Sequence, residues 1–351
     1  MTKRLSQFIA RHGAEIEDAL HAHLPYSSQA GAERLNDALD YALFPGGKRL
    51  RPVLALAAAR LAGATHEQGV VVGCAVEFLH SSSLILDDLP AMDDADLRRN
   101  RRALHLVYGE GLAVLAAVAL LNQAYALLTS AAEACGRAGT TGALLNEAAR
   151  AVGADGMIGG QVIDLELQAD RANDRALASR DLKTVALMRL MMVAGAHARG
   201  ADGETVETLA GFGERFGRAY QICDDLLDEL GASALSGKTA RQDARHLRPS
   251  AVSVLGAVAS RNLAAALVRE GASLLVRKFG ERGEARVLVE AAEMMLCKVT
   301  AAGASQLSVV EGAGQFSIEG TEQHTINGTE QHSIKGAEQH AAAGAEQLSV
   351  A

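Results

Sequence analysis

The feature that most constrains the fold is an apolar segment at residues 68–88 that ends in an acidic cluster. The segment has the length of a helix and almost no polar face, so we expect a helix enclosed by others on all sides. Asp87 and Asp88 close the segment, and Pro90 follows at once. Because proline disfavours helical backbone in the residue before it, the helix is predicted to end near Asp88.

More charges follow this helix: Asp93, Asp94 and Asp96 come first, and then Arg98 and Arg99. Clustered carboxylates repel one another and resist ionising, and a hard cation removes that cost. Proteins hold Mg²⁺ with one or two carboxylates and the phosphate oxygens of a substrate, and arginine suits the remaining oxygens. We therefore interpret the stretch as a metal–diphosphate site.

A second acidic cluster, Asp224, Asp225 and Asp228, lies in a later helical pattern. Asp224 and Asp228 are four residues apart and share one face of a helix. Asp87 and Asp93 do not, because six residues turn a regular helix by about 240°. We expect the segment after the first helix to fold Asp93 back toward Asp87. Two clusters facing each other across a bundle could hold several Mg²⁺ ions around one diphosphate.

Helical patterns cover most of the chain, and no segment has a convincing strand pattern. Hydrophobic residues make up 49% of the chain and are mostly Ala, Leu and Val, with only five prolines, which favours helices over sheet. The expected fold class is all-α, a bundle around a deep central cavity. Helices are predicted at residues 3–22, 31–43, 53–62, 68–88, 107–135, 140–168, 181–199, 203–230, 250–279 and 282–301.

Charge and cysteine content narrow the functional classes. The net charge of −8 argues against a general nucleic-acid binder. Cys74, Cys135, Cys223 and Cys297 form no CxxC pair and are predicted to be buried thiols in a reducing compartment. Charged residues come too early for a signal peptide, and the apolar run Leu112–Leu121 is too short to span a bilayer. We expect a cytoplasmic protein without a transmembrane segment.

The C-terminal segment differs from the rest of the chain because it consists of a short repeat. From Gly312 onward a motif that begins with glycine recurs every eight residues, as in Gly320-Thr-Glu-Gln-His and Gly328-Thr-Glu-Gln-His. A period of eight matches neither helical repeat, and each glycine weakens a helix by about 1 kcal/mol. We predict one domain at 1–302 and a disordered repeat tail at 303–351. A small solenoid or partner-binding module is the alternative for the tail.

Five motifs stand in a fixed order along the chain. They are Gly46-Gly-Lys-Arg-Leu-Arg-Pro52, Asp87-Asp-Leu-Pro-Ala-Met-Asp93 with Arg98-Arg99, Gly159-Gly-Gln-Val-Ile-Asp164, Lys183-Thr184, and Tyr220-Gln-Ile-Cys-Asp-Asp-Leu-Leu-Asp228 with Gly237-Lys238. Over about residues 1–300 the chain resembles the trans-isoprenyl diphosphate synthases, and most of all the bacterial carotenoid-type geranylgeranyl diphosphate synthases. Each motif alone is a modest signal, but their order is specific.

The resemblance implies an isoprenoid synthase-type bundle, a homodimer and three Mg²⁺ ions per site. It also implies that isopentenyl diphosphate condenses head-to-tail with dimethylallyl, geranyl or farnesyl diphosphate. The residues agree with this chemistry, since an allylic diphosphate leaves when metals and preorganised donors meet its developing charge. An apolar helical cavity would keep water from the allylic cation.

The resemblance also assigns roles to individual residues. The catalytic residues would be Asp87, Asp88, Asp93, Lys183, Asp224 and Lys238. The metal ligands would be Asp87, Asp93 and Asp224, supported by Asp88, Asp225 and Asp228, and from a neighbouring helix by Gln161 and Asp164. Isopentenyl diphosphate would be bound by Gly47, Lys48, Arg51, His80 and Arg99. The allylic diphosphate would be bound by Arg98, Lys183, Thr184, Gln221 and Lys238.

Two places bear on activity and product. After the first cluster the family usually has Arg-Arg-Gly-x-Pro-Thr-x-His, whereas this chain has Arg98-Arg-Asn-Arg-Arg-Ala-Leu-His105, which puts the shape of that loop in doubt. Ser82 and Ser83 stand five and four residues before Asp87, where relatives that make farnesyl diphosphate often carry an aromatic ring. Two small residues there predict a longer, twenty-carbon product.

Three alternatives stay open. The first is a farnesyl or longer polyprenyl diphosphate synthase. The second is a class I terpene cyclase, although cyclases lack a site like Gly46–Pro52 and have a second metal motif unlike Asp224–Asp228. The third is a non-catalytic subunit of a heteromeric synthase, which the altered loop Asn100–Ala103 favours.

Overall fold

The structure of the chain is a computed structural model that describes residues 3–166, 174–229, 250–281 and 283–314. For residues 174–181 and 301–314 only the helical backbone is described. One compact unit comprises Met1–Ser308, and a second unit comprises Val309–Ala351. Almost all of the second unit lies outside the described residues.

The described residues form an all-α architecture, which confirms the expected fold class. The helices are α1 (Lys3–His23), α2 (Glu33–Leu43), α3 (Leu50–Leu61), α4 (His66–Asp87), α5 (Leu104–Tyr108), α6 (Glu110–Glu133), α7 (Thr140–Val152), α8 (Met157–Glu166), α9 (Asp174–Arg199), α10 (Gly203–Glu229), α11 (Ala251–Leu255), α12 (Ala257–Phe279) and α13 (Gly283–Gly314). One short antiparallel hairpin, which the sequence did not predict, pairs β1 (Leu97–Arg98) with β2 (Arg101–Arg102).

Helix α4 lies at the centre of the bundle, as its composition predicted. It packs against α3, α6 and α9, and Phe78 and Val76 on different faces are fully buried. A capping box starts the helix, because the Thr65 hydroxyl accepts a hydrogen bond from the backbone N–H of Gln68 and the Gln68 side chain accepts one from Thr65. Helix α3 approaches so closely that a Cβ at Gly73 would lie 2.9 Å from the carbonyl oxygen of Pro52.

Three predicted helices are divided in the structure. Glycine backbone in the left-handed region causes two of the breaks, because glycine adopts that conformation without steric cost. Gly109 and Gly256 have φ values of 89° and 80°, in the left-handed region, and Gly153 is extended. The divided helices are those predicted at 107–135, 140–168 and 250–279.

Two helices extend well beyond their predicted bounds. Helix α9 begins at Asp174 rather than at 181, so Lys183 lies inside it and not in its first turn. Helix α13 continues to Gly314, past the predicted domain end at 302. No glycine stands between Gly303 and Gly312, and that stretch therefore tolerates helix. The boundary between domain and repeat tail stays a prediction.

The prediction that all four cysteines are buried is correct for two of them. All four are free thiols, and Cys74 and Cys223 are buried, which raises the pKa of each to about 12. Cys135 is partly exposed and Cys297 is exposed, so the prediction of burial was wrong for these two. Cys135 lies in the turn after α6, and Cys297 lies on the outer face of α13, positions that a periodic pattern alone does not resolve.

Among the described residues, two helices are long and apolar enough to cross a membrane by length and composition alone, namely α4 and α6. The most apolar stretch of α4 is 72% buried in the protein, so its hydropathy is that of a core helix. The corresponding stretch of α6 is only 39% buried, and Leu115 and Val118 are 60% and 52% exposed. Both residues lie within the apolar run Leu112–Leu121, which was expected to be too short to span a bilayer, whereas α6 as a whole is long enough by length and composition.

Buried charge ties the N-terminal helices to α4. Arg49, 5% exposed, donates from Nε to Glu17 Oε2 (2.7 Å), from Nη1 to Glu77 Oε1 (2.9 Å), and from Nη2 to the carbonyl oxygen of Leu43 (2.7 Å). A Cβ at Gly46 would lie 2.0 Å from Arg49 Cζ, so a side chain there would displace this guanidinium from its position. Arg49 thus joins α1, the end of α2 and α4, and it fixes the loop that carries Lys48.

We predict that Glu77→Ala lowers the free energy of unfolding by about 3 kcal/mol, because it leaves a buried guanidinium without one of its two carboxylates. The matched control is Glu67→Ala on the same helix, where the side chain is exposed. Loss of a favourable first-turn charge there costs about 1 kcal/mol or less. Urea unfolding followed by circular dichroism measures both, and equal losses would contradict the role given to Glu77.

Candidate active site

The loop after α4 folds back on the end of that helix. The helix ends at Asp87, with Asp88 as its C-cap, which confirms the boundary predicted from Pro90. The backbone N–H of Asp93 donates to the carbonyl oxygen of Asp87 (2.9 Å), and that of Ala95 donates to Asp88 (3.2 Å). Asp93 therefore returns to Asp87, as expected from the spacing.

Each carboxylate at the end of α4 has a basic partner from another element. Lys183 Nζ of α9 lies 3.1 Å from Asp87 Oδ2. Arg98 of β1 binds Asp88 with Nε 3.0 Å from each carboxylate oxygen, and its Nη2 also contacts Oδ1. The sequence predicted these four residues for the site, and the structure brings them together.

The acidic site fits a hard divalent cation. Burial raises the pKa of the Asp87 carboxyl above its ordinary value; Lys183 opposes this effect, and Asp93 adds to it. A carboxyl group that resists ionising for these reasons gains from a cation placed among its neighbours. The donors that meet here are carboxylate oxygens, which Mg²⁺ prefers.

Helix α9 also connects to the second acidic cluster on α10. Thr184 Oγ1 donates to Gln221 Oε1 (2.9 Å), and Gln221 Nε2 donates to Asp225 Oδ1 (3.0 Å). Lys183 and Thr184 are adjacent, so this short segment of α9 contacts α4 on one side and α10 on the other. Asp224 and Asp228, both partly buried, lie one turn apart on α10.

Asp225 has a structural position within the second cluster. It is 5% exposed, and its Oδ2 accepts a hydrogen bond from the backbone N–H of Ala251 (2.7 Å) at the start of α11. A carboxylate at a helix N-terminus satisfies backbone donors that would otherwise lack partners. Asp225 therefore anchors α11 against α10 beside the two other aspartates.

Helix α8 reaches the site through a close contact with α9. A Cβ at Gly160 would lie 2.5 Å from the backbone nitrogen of Lys183, so only glycine fits there. The next residue, Gln161, points to the loop of the first cluster, and its Nε2 lies 3.6 Å from Met92 Sδ. Its Oε1 is buried and has no hydrogen-bond partner among the described residues. Asp164, 7% exposed, lies one turn farther along α8.

A group of guanidiniums lies beside the acidic site. Burial lowers the pKa of Arg99; Glu77, whose Oε1 lies 3.6 Å away, opposes this effect, and the nearby Arg49, Arg98 and Arg51 add to it. Arg51 Nε and Arg99 Nη1 are buried and have no hydrogen-bond partner in the described part of the chain. Crowded cations with unused donors fit an anion of several charges, and a diphosphate is such an anion.

The other residues predicted to bind isopentenyl diphosphate lie in the loop before α3, in α3 itself and on α4. Gly47 and Lys48 are exposed in the loop before α3, and His80 is half-buried on α4, two turns before Asp87. Arg51 in the first turn of α3 lies over the ring of Tyr220, 5.6 Å from its centroid. Lys238 lies outside the described residues.

The loop Arg98–His105, which departs from the usual family sequence, contains a tight β-turn. Arg99 and Asn100 form the two-residue turn between β1 and β2, and their φ values of 53° and 60° are both left-handed. Asparagine tolerates this conformation better than other residues except glycine, so Asn100 suits the position that glycine usually occupies. Arg101 stacks on Tyr41 at 3.7 Å and donates to the carbonyl oxygen of Phe44 (2.7 Å), which fixes the second strand.

Small side chains face each other between α4 and α6. Ser82 is buried, and its hydroxyl donates to the carbonyl oxygen of Ala117 (2.9 Å). The neighbouring Ser83 is partly buried, and its hydroxyl donates to the carbonyl oxygen of His80 (2.8 Å). On the α6 side, Ala113, Ala116 and Ala117 are fully buried.

Sequence reasoning missed Glu17, Arg49 and Glu77, the buried ion-pair network that supports the basic group. One signal could have found it. Glu77 is a charged residue inside the otherwise apolar run 68–88, and a charge there requires a buried partner. The partner itself has no local signal, because Glu17 and Arg49 are 60 and 28 residues away in the chain.

Comparisons with known proteins agree with this geometry. The polyprenyl synthetase family profile matches residues 32–274. The chain is 38% identical over 261 residues to farnesyl diphosphate synthase of Bacillus subtilis (strain 168), covering 73% of this chain and 88% of that one. It is 35% identical over 273 residues to geranylgeranyl pyrophosphate synthase 12, chloroplastic, of Arabidopsis thaliana, covering 77% and 75%.

A solved structure agrees as well. The crystal structure of geranyltransferase from Helicobacter pylori, complexed with magnesium and isoprenyl diphosphate, superposes with a TM-score of 0.70 at 28% identity. The match covers 86% of this chain and 99% of that chain. Given the two acidic clusters, the guanidinium group beside them and these matches, the chain belongs to the polyprenyl synthetase family of prenyltransferases.

Proposed function

We propose that the protein condenses isopentenyl diphosphate head-to-tail with dimethylallyl, geranyl and farnesyl diphosphate, and that its final product is geranylgeranyl diphosphate. The observation that supports this most is the pair Lys183–Thr184, which links the acidic end of α4 to the acidic face of α10. A farnesyl or longer polyprenyl diphosphate synthase is the second candidate, since the relatives include farnesyl and geranylgeranyl synthases.

On the allylic side, the chain's residues would bind and orient a diphosphate that leaves. Asp87, Asp93 and Asp224 would hold Mg²⁺, three ions in our proposal, with Asp88, Asp225 and Asp228 in support. Bound Mg²⁺ would neutralise the charge that develops on the leaving diphosphate. Basic side chains would bind the remaining oxygens, and Asp88 already holds one of them, Arg98, in place.

On the other side, the guanidinium group would bind isopentenyl diphosphate. Arg51 Nε and Arg99 Nη1 are buried donors that a diphosphate oxygen would satisfy, and Lys48 and His80 would add contacts. The allylic C–O bond breaks, a C–C bond forms with the double bond of isopentenyl diphosphate, and a proton leaves the adduct. The departing diphosphate is the proposed proton acceptor, because the site residues include no dedicated base.

We expect Asp87→Ala and Asp224→Ala each to lower kcat by about a thousandfold or more, because lost metal stabilisation of the leaving group is worth several kcal/mol. The assay uses purified protein alone, Mg²⁺ and labelled isopentenyl diphosphate at saturating substrate. The control is Asp96→Ala, an exposed aspartate in the same loop, which should keep near-normal turnover.

Circular dichroism checks that each variant is folded. Near-normal rates for the Asp87 variant, or an equal loss for the Asp96 control, would rule out the metal roles. If the wild-type protein alone has no activity, the alternative of a non-catalytic subunit in a heteromeric synthase is favoured instead.

Product length is proposed from the contact between α4 and α6. Ser82 and Ser83 are small, and the facing side of α6 carries buried alanines. An isoprenoid chain that grows from the acidic site along α4 would meet these positions about one turn below Asp87. Small residues there favour a twenty-carbon over a fifteen-carbon product.

We predict that Ser82→Tyr shifts the product from geranylgeranyl to farnesyl diphosphate, because the ring would occupy space needed by the last five carbons. Since Ser82 is buried against α6, Ser83→Phe, at a partly exposed position, is the second variant. Ser83→Ala is the control and should leave the product unchanged. Chromatography of the dephosphorylated products gives the chain lengths. An unchanged product in folded, active forms of both bulky variants would refute the assignment.

We also propose a homodimer in the cytoplasm. Leu115 and Val118 on α6, with Leu106 and Val107 on α5, expose apolar surface that no described element covers. A second copy of the chain would remove this surface from water, and burial in a dimer accounts for the apolar composition of α6 without a bilayer. The buried thiols of Cys74 and Cys223 are consistent with a reducing compartment.

We expect the wild-type protein to be a dimer by light scattering after size-exclusion chromatography, and the double variant Leu115→Glu/Val118→Glu to be a folded monomer, since two carboxylates would be desolvated in the interface. The control is Val258→Glu on α12, where the valine is 74% exposed. A monomeric wild-type protein, or a double variant that stays dimeric, would overturn the assignment of this face.

A further inference from the structure

Three metal-binding side chains meet at the end of α4 opposite to Asp87. His12 and Glu15 lie on α1, and His66 is the first residue of α4. His66 Nε2 is 2.7 Å from Glu15 Oε1, and His12 Nδ1 is 3.4 Å from Glu15 Oε2. One ligand atom from each residue can be chosen so that all three lie within 4.8 Å of one another. None of these residues takes part in the proposed condensation.

The ligand atoms of these three residues indicate which metal ion would bind. Two imidazole nitrogens and one carboxylate oxygen are typical ligands of Zn²⁺, which takes three protein ligands and a water in a tetrahedral site. Mg²⁺ and Ca²⁺ prefer oxygen ligands alone, so the ion proposed for the diphosphate site does not suit this cluster. A tetrahedral site with bonds near 2.0 Å needs ligand atoms about 3.3 Å apart. Glu15 meets the two histidines through different carboxylate oxygens, 2.7 Å from His66 Nε2 and 3.4 Å from His12 Nδ1, so its side chain would rotate for one oxygen to act as the ligand.

Packing fixes one ligand and leaves the other two free to adjust. His12 is 6% exposed, its ring centroid lies 4.6 Å from that of Phe8, and its Nε2 is buried without a hydrogen-bond partner in the described residues. His66 and Glu15 are exposed, so their side chains can move by the small amount that coordination requires. The capping box at Thr65 holds the backbone beside His66.

The guanidinium of Arg60 lies near the cluster and has a carboxylate partner of its own. Arg60 of α3 packs over the ring of Phe8, 5.9 Å from its centroid, and its Nη2 is 2.8 Å from Glu284 Oε1 on α13. Because this guanidinium has its own carboxylate partner, its repulsion of a bound cation is reduced. An ion in this cluster would therefore be held by two imidazole nitrogens and one carboxylate.

We propose that His12, Glu15 and His66 bind one Zn²⁺ ion that clamps α1 to the start of α4. The 22 residues of α4 separate this site from the acidic end by about 30 Å, so the ion would act on the fold and not on the reaction. Helix α1 also carries Glu17, which binds the buried Arg49. The clamp would therefore stabilise the helix that holds this part of the basic group in place.

The test is metal binding to the full chain after dialysis against a chelator, in excess Mg²⁺ so that the acidic clusters are occupied. Zn²⁺ is titrated calorimetrically, and Co²⁺ is used as a probe whose visible absorption is intense in a tetrahedral nitrogen site. The variant is His66→Ala, chosen because His66 is exposed and its loss should not affect folding. The control is His23→Ala, a histidine in the last turn of α1 outside the cluster.

We expect one Zn²⁺ per chain in the wild type and the His23 control, a visible tetrahedral Co²⁺ spectrum, and a higher Tm with Zn²⁺ than without it. His66→Ala should bind Zn²⁺ at least tenfold more weakly, lose the Co²⁺ spectrum and show no zinc-dependent rise in Tm. Turnover with Mg²⁺ should be the same in all three proteins. Equal Zn²⁺ affinity and equal Co²⁺ spectra in wild type and His66→Ala, or no stoichiometric binding to the wild type, would overturn the proposal.

Discussion

The end of α4 is held by two ion pairs, Lys183 with Asp87 and Arg98 with Asp88, and the rest of the site is arranged around them. These ion pairs offset the electrostatic cost of placing carboxyl groups at the end of a buried helix. The helix is mostly buried, yet it ends in carboxyl groups whose proposed metal-binding role requires charge, and burial raises the pKa of Asp87. Opposite charges from α9 and the hairpin reduce this penalty, and a divalent cation among the carboxylates would reduce it further.

On the basic side of the site, too, the role of each buried charge depends on whether it has a partner. Arg49 is satisfied by Glu17, Glu77 and a backbone carbonyl, so it serves the fold, whereas Arg51 and Arg99 keep buried donors that the described residues do not satisfy. Unpaired donors cost free energy in the folded chain. In the proposed function, a bound diphosphate would satisfy these donors and offset that cost.

Close helix contacts explain how the charged groups come within reach of one another. Gly160 allows α8 to touch the backbone of α9 at Lys183, and Gly73 allows α4 to touch α3 beside Pro52. A side chain at either glycine would push the helices apart, and ion pairs near 3 Å tolerate little displacement. Glycines at these helix contacts thus permit the close packing that the ion pairs of the site require.

The sequence by itself determined the helical class, the central position of α4, its end near Asp88 and the return of Asp93 toward Asp87. Each follows from a local signal, either apolar periodicity or the steric effect of Pro90 on its neighbour. Tertiary structure alone decided the partners: Lys183 for Asp87, Arg49 for Glu77, and His66 for Glu15. Periodicity tells which face of a helix is buried, but it does not tell which distant residue that face will meet, because pairing depends on how whole helices pack. The hairpin at Arg99 and Asn100 was missed for a related reason, since strands of two residues are too short to form a pattern.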